Sequence, residues 1–402
     1  VGSTNYHLAN PGKSGQSWKS VFYKRDKVLV GHNLKQLIKV LTTLQLTTST
    51  TLFDTMIASY ILNSSTRAHD AKSVILRELG QEVHGSSDQS SLFGANPKQV
   101  AEELQLILQA HEIQKKKLSD LEDFGLFEKV EMKLIPILAE MELNGIAVDS
   151  SVLKKISKDV ATEINKITKQ IQKEAGEDFN VASPTQLRDI LFDKLKLPSD
   201  GVKKGKTGYS TADAELEKLI DEHPIISMIR DYRELAKLQN TYVDVLPTLV
   251  NKKTGRIHTT FNQAITTTGR LSSSEPNLQN IPIRTDLGKE IRNAFVAETG
   301  NNLIVADYSQ IELRIVASLA KDKTMIEVFE RGEDIHQATA SVINDVPLDK
   351  VTKEMRYAAK AVNFGVLYGM GSYGLAWRTK MPQWQAKEFI KKYFEKFSSV
   401  KK

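Results

Sequence analysis

The chain has 402 residues, more than one hydrophobic core usually serves, so two or three domains are expected. Its 55 lysines and arginines against 49 aspartates and glutamates leave a net charge of +6, which suits a polyanionic partner without requiring one. With 0 cysteines it has no disulfides, thiolate metal sites or cysteine nucleophile, which fits a reducing cytoplasm, and no apolar stretch is long enough to span a bilayer.

From residue 1 to about 115 the pattern is that of a small α/β unit. Val28, Leu29 and Val30 form an apolar run, Gly31-His32-Asn33-Leu34 follows it, and Leu52 to Leu62 reads as a turn into a helix. From about 116 to 260 the pattern is helical. Val152, Ile156, Val160, Ile164, Ile167 and Ile171 recur at helical spacing and make one apolar stripe, with Lys155, Lys158, Lys166 and Lys169 off it on a solvated face. Ser183-Pro184-Thr185-Gln186 reads as a capping box with proline at the first helical position. The glycine and lysine loop at 199–209 contains Gly-Lys-Thr, but it lacks the first glycine of the Walker spacing and a preceding buried strand, so ATP is not expected there. Arg230 to Leu246 predicts a further helix carrying Arg233, Lys237, Thr241 and Tyr242.

Three blocks follow. Thr268 to Pro282 is rich in serine, asparagine and glycine, holds Arg270, Asn277, Gln279 and Asn280 with Arg284 just beyond, and has too little apolar content for a core element. Leu303, Ile304, Val305 and Ala306 form a β-type run ending in Asp307-Tyr308-Ser309-Gln310-Ile311-Glu312-Leu313-Arg314, which places Asp307 at a strand tip open to a hard cation. Arg356-x-x-x-Lys360-x-x-Asn363-Phe364-Gly365-x-x-Tyr368-Gly369 lies on a helix predicted from about Thr352 to Leu367. Arg356 and Lys360 share a face, a fork and a point charge suited to a triphosphate. Phe364 and Tyr368 continue the stripe, and Gly365 and Gly369 thin the helix surface so that a base or sugar can approach.

Together the blocks resemble family A DNA polymerases, the bacterial DNA polymerase I group, over nearly the whole chain: motif A at Asp307 to Arg314, motif B at Arg356 to Gly369, and the primer-template segment at Thr268 to Pro282. The resemblance implies an α+β multidomain fold. A ribonuclease H-like exonuclease-fold domain would occupy 1–115, a helical linker and thumb 116–260, a partial palm with motif A 261–351, and partial fingers with motif B 352–402. Asp307 and the Tyr308 carbonyl would hold Mg²⁺, two ions in the complete enzyme, with Asp307, Arg356 and Lys360 serving catalysis. Gln310, Glu312, His336, Arg356, Lys360, Phe364 and Tyr368 would contact the incoming dNTP. In that scheme Glu312 closes the sugar pocket against a 2′ hydroxyl, His336 reaches phosphate, Phe364 packs on the sugar and Tyr368 stacks where the templating base enters. Phe at 364 implies discrimination against nucleotides lacking the 3′ hydroxyl, and Tyr357 stands where many members carry a second arginine. Arg270, Asn277, Gln279, Asn280 and Arg284, with Lys237 and Thr241 of the thumb, would hold primer-template DNA. Minor-groove donors there can check pairing geometry without reading sequence.

The sequence departs from the family at its nuclease. Leu37 stands where the second exonuclease motif carries aspartate, Gln99 and Glu103 replace the third motif's tyrosine and aspartate, and the first motif would lie upstream of Val1. No proofreading is expected, and Asp54 is read as a helix-start cap rather than a nuclease ligand. Both ends look cut, and a His-Asp-Glu turn with the second metal-binding aspartate is expected beyond Lys402. Primer extension by this stretch alone is therefore expected to be very low. The rival readings are a catalytically inactive nucleic-acid-binding fragment and a 3′-5′ exonuclease. A monomer with no membrane contact is expected, in a bacterial-type, nucleoid-associated cytoplasm or an organelle.

Overall fold

A computed structural model of the chain describes residues 27–46, 50–83, 97–121, 123–206, 208–283, 285–379 and 381–401. It divides into two compact units, Val1–Leu303 and Ile304–Lys402. Helices and short strands mix in the first, and helices dominate the second.

The first unit begins with β1 (Val28–Gly31), α1 (Leu34–Thr43), β2 (Thr51–Asp54) and α2 (Thr55–Leu62). The strands pair in parallel, Val28 opposite Thr51 through Gly31 opposite Asp54. Residues 51–54 are thus a strand, where the sequence pattern read as a turn. Pairing with β1 and the burial of Leu52 and Phe53 override the local signal. Leu34, Ile38 and Leu41 line one face of α1 and pack with Phe53, Ile57 and Ile135. Asp54 caps α2 by accepting from Met56 N–H (2.9 Å), as its position predicts, and also accepts from Asn33 N–H (3.0 Å) and Leu34 N–H (2.6 Å) at the start of α1. One carboxylate therefore serves the amino ends of two helices. Beyond α3 (Ala71–Leu79) and α4 (Pro97–Asp120), the chain enters α5 (Met132–Asn144).

Strand β3 (Ile146–Val148) leads into α6 (Ser150–Ala175), whose start is capped by Asp149 and whose end is Gly176 in the left-handed region at φ +72°. The predicted stripe is the buried face: Ile156, Val160, Ile167 and Ile171 are buried, together with Leu153 and Ala175. Fully burying one such side chain is worth about 1.5–3 kcal/mol, so this stripe anchors the helix. At α7 (Pro184–Arg188) Ser183 accepts from Gln186 N–H (3.4 Å), but the Gln186 side chain accepts from Asn180 N–H (2.7 Å), so the expected box is only half formed. The 199–209 loop folds into a hairpin of β4 (Lys204–Gly205) and β5 (Gly208–Tyr209), with Lys204 over the Tyr209 ring.

The helix expected at 230–246 is α8 (Ile225–Leu238), which packs on α6 and then widens into a π turn over Gln239–Val243. Strand β3 sits between β6 (Arg256–Ile257) and the later β9 (Phe295–Val296), both antiparallel. Strands β7 (Thr260–Asn262) and β8 (Ser272–Ser274) form an antiparallel pair, followed by α9 (Asp286–Asn293).

The serine-rich segment is more ordered than its composition suggests. Ser273 and Thr259 are buried and hydrogen-bonded to each other (2.7 Å). Thr259 also donates toward the Pro276 carbonyl (2.8 Å), while Leu278 N–H donates to Ser273 Oγ (3.1 Å). Ile281 is buried beside Leu278 in the apolar cluster that holds α6. Hydroxyls that satisfy one another can be buried without large apolar side chains, and composition does not show this.

The second unit comprises α10 (Ile311–Ala320), α11 (Lys323–Glu330), α12 (Ile335–Asn344), α13 (Lys353–Leu367), α14 (Ser372–Thr379) and α15 (Gln383–Lys396). Its core joins Leu313, Met325, Ile335, Ile343, Val362, Leu375, Tyr393 and Phe397, with Ala338, Ala340, Ala358 and Ala359 where α12 and α13 pack closely. The expected strand at 303–306 does not form: these residues run as irregular chain, and Ile304 and Val305 are 92% and 89% exposed. A strand exists only with a ladder partner, and the described residues supply none.

Candidate nucleotide and nucleic-acid site

In the second unit, Asp307 and Tyr308 are exposed and precede α10 in unpaired chain rather than at a strand tip. The start of α10 is nonetheless defined. Gln310 takes a left-handed conformation at φ +51°, which costs a non-glycine residue about 1 kcal/mol. Arg314, whose guanidinium lies 4.5 Å over the Phe329 ring, donates from Nε to the Ser309 carbonyl (2.9 Å) and holds the turn. Glu312, in the first turn of α10, accepts from the Tyr368 hydroxyl (2.9 Å). Residues of the 307–314 and 356–369 blocks therefore meet.

Helix α13 starts one residue after Thr352, whose hydroxyl accepts from Met355 N–H (3.2 Å), and ends at Leu367, close to the expected bounds. Arg356, Lys360 and Phe364 recur every four residues and drift by about 40° per step, so they occupy one broad face. Lys360 is exposed. Arg356 is paired with Asp334, donating from Nη2 to Oδ2 (2.6 Å). Asp334 also caps α12, accepting from His336 N–H (2.8 Å) and Gln337 N–H (3.0 Å). Partial burial pushes its carboxyl up, but the Arg356 bond and the two amides outweigh that and hold it below the usual carboxylate range.

Two expectations for this face are corrected. His336 does not reach out to an anion here: it is 3% exposed, its Nδ1 lies 3.0 Å from Asn363 Nδ2, and its ring packs beside Phe364. Burial pushes its pKa down to about 4, so the imidazole is neutral at neutral pH. The apolar core beneath α12 claims the ring, which the spacing of polar residues around it does not reveal. Gly365 also does not leave open surface. A Cβ there would lie 2.6 Å from Met370 Sδ, and Met370 is likewise pressed against Gly374. The helix stops because Met370 N–H bonds back to the Gly365 carbonyl (2.8 Å) and Gly369 turns the chain at φ +72°. Tyr368 thus sits in the terminating turn, 66% exposed, rather than on a further helical turn.

In the first unit, Arg270, Asn277, Gln279 and Asn280 are exposed around the pinned β7–β8 segment, and Lys237 and Thr241 are exposed on and after α8. Arg284 lies outside the described residues. At the nuclease positions, Leu37 packs against the apolar cluster of α1, Gln99 is exposed and Glu103 half-buried. Among the described residues no group of three or more histidines, aspartates or glutamates could hold a metal ion. The Asp307 carboxylate and the Tyr308 carbonyl are oxygen donors of the kind a hard cation takes, but they form one corner of a site, not a cage.

The sequence assigns no role to Asp334, Met370 or the buried Lys35–Glu142 contact, nor to Asn363 beyond its place in the Arg356–Gly369 block. Asp334 alone left a local signal, an aspartate three residues before Gln337 at a helix start.

A family model described as DNA polymerase family A matches residues 150–402. A DNA polymerase I from Caldicellulosiruptor bescii is 42% identical over 94% of this chain and 43% of its own length. A thermostable DNA polymerase I from Thermus thermophilus is 50% identical over 69% of this chain and 33% of its own. Thus the chain spans less than half the length of these curated relatives. Among solved structures, the POL domain of Pol1 from M. smegmatis, in complex with DNA primer-template and dNTP, aligns with a TM-score of 0.84 at 35% identity, covering 97% of this chain and 67% of that one. With the family model matching well over half of the chain, the chain belongs to DNA polymerase family A.

Proposed function

We propose that this chain is the part of a template-directed DNA polymerase, active in replication or repair, that grips primer-template DNA and receives the incoming dNTP. The observation that carries the reading is the α13 face, which Arg356, Lys360 and Phe364 share, with Arg356 held beside the Asp334 carboxylate. The relative solved with DNA primer-template and dNTP supports the same reading.

In the reaction the primer 3′ hydroxyl releases its proton to solvent and its oxygen bonds to the α-phosphorus, while the bond to the oxygen bridging to the β-phosphate breaks and pyrophosphate leaves. Arg356 forks onto phosphate oxygens after exchanging its bond to Asp334. Lys360 supplies charge and a proton to the leaving pyrophosphate. Phe364 packs on the sugar, and Glu312, steadied by Tyr368, walls off a 2′ hydroxyl. Asp307 and the Tyr308 carbonyl would hold Mg²⁺, which when bound supplies Lewis-acid stabilisation of the developing charge. Arg270, Asn277, Gln279, Asn280, Arg284, Lys237 and Thr241 hold the duplex. In domain terms, 1–115 is an exonuclease-like fold, 116–260 linker and thumb, 261–351 palm and 352–402 fingers. Leu37, packed half-buried against the apolar cluster of α1, and Asp54, committed to two helix caps, support loss of proofreading.

Primer extension by the complete protein tests the reading. Asp307→Asn is expected to lower kcat at least about a thousandfold, roughly 4 kcal/mol, while leaving primer-template affinity within a few fold. An Asp307→Asn enzyme that extends primers at the wild-type rate would refute it.

A further inference from the structure

The first unit contacts its own primer-template segment through side chains that no polymerase motif includes. Tyr60, on α2, is 5% exposed, and its ring meets His69 edge-on at 5.7 Å. Its hydroxyl donates to the Thr266 carbonyl (2.6 Å) and accepts from Gly269 N–H (2.9 Å). These two backbone groups lie in the loop between β7 and β8, next to Arg270. The loop is also closed on itself, because Thr266 Oγ donates to the Arg270 carbonyl (2.6 Å). At its other end Lys35 of α1 and Glu142 of α5 hold Phe261 by both its carbonyl and its amide, the latter at 2.8 Å. Gln263 donates to Glu131 (2.8 Å). Each contact is to backbone or to a fixed polar partner, so the loop's course is set from outside the β7–β8 pair.

We propose that Tyr60 is a positioning residue for DNA binding: its phenol hydroxyl fixes residues 266–269 and, through them, presents the Arg270 guanidinium to the primer-template duplex. The inference rests on the functional reading above. It gives the amino-terminal α/β region a role that needs no nuclease chemistry. A single satisfied hydroxyl that bonds two backbone groups suits this task, since it fixes a loop without adding bulk to it.

The test uses Tyr60→Phe in the complete protein, with primer-template affinity measured by fluorescence anisotropy and loop protection by hydrogen exchange. Tyr60→Phe is expected to weaken primer-template binding about threefold to tenfold, the worth of one or two net hydrogen bonds. The peptide carrying residues 266–270 should exchange faster, because the Gly269 amide loses its acceptor. Combined with Arg270→Ala, Tyr60→Phe should cost little further affinity, since both act through one contact. Thr266→Val, which breaks the link inside the loop and leaves Tyr60 in place, should weaken binding similarly. Wild-type affinity in Tyr60→Phe or in Thr266→Val, or losses that add fully to those of Arg270→Ala, overturns the proposal. Absence of primer-template binding by the wild-type protein overturns the functional reading and the proposal with it. Normal wild-type binding with an unaffected Tyr60→Phe overturns the proposal alone.

Discussion

Glu142 offers the sharpest test of how the first unit is held together. Its side chain is 0% exposed and accepts from Lys35 Nζ (2.5 Å), Lys39 Nζ (2.7 Å) and Phe261 N–H (2.8 Å). Burial alone would push its carboxyl up; the two lysines and the amide overcome that and hold it low. In Glu142→Gln the amide oxygen can still accept from Phe261, so that bond survives. Lys39, with 26% of its side chain exposed, can turn to water. Lys35 cannot, because its side chain is only 8% exposed, so its charge is left buried without a counter-ion. Stranding one member of a buried pair costs about 3–5 kcal/mol, and the retained Phe261 bond places this variant near 3. At about 2 °C per kcal/mol for a large unit, calorimetry should find the melting temperature about 6 °C lower. Lys35→Met in the same chain removes the stranded charge and should recover most of the loss. If Glu142→Gln melts within 1 °C of wild type, or if adding Lys35→Met brings no recovery, the charge-stranding argument is wrong.

His336 should make the second unit acid-sensitive. Its folded pKa of about 4 lies below the ordinary 6.5, so between those values the unfolded chain binds more protons and stability drops as the pH is lowered. The loss should approach about 3 kcal/mol by pH 4, and the urea midpoint should vary less with pH in His336→Gln; equal pH slopes would contradict this. Gly365→Ala, whose Cβ would lie 2.6 Å from Met370 Sδ, should destabilise the unit by about 1–2 kcal/mol in urea. Met370→Ala should relieve that strain, and failure to do so would show that the contact is not its source. Tyr368→Phe removes the donor to Glu312 (2.9 Å) and should raise the complete enzyme's ribonucleotide-to-deoxynucleotide kcat/KM ratio several fold, though less than Glu312→Ala. An unchanged ratio would mean that the hydroxyl does not steady the wall.

What could be read from sequence was what local spacing encodes. The α6 stripe, the α13 bounds, the Asp54 cap and the Ser183 cap all follow from residues within a few positions of each other. What could not be read depended on distant partners. Residues 303–306 have the composition of a strand but no described neighbour to pair with. From the family resemblance His336 is expected to reach phosphate, and only tertiary packing shows it buried with Asn363 and Phe364. Gly365 looked like room left for a ligand, yet Met370 takes that space by chain reversal. Glu142 with Lys35 spans 107 residues, beyond any local pattern.

The hydroxyl lattice of Thr259 and Ser273 divides labour within the β7–β8 segment. Its backbone course is secured by small interior groups, whereas Arg270, Asn277, Gln279 and Asn280 project from the outside. The outward set can therefore be exchanged for other donors, by engineering or by natural drift, while the inner scaffold keeps its shape.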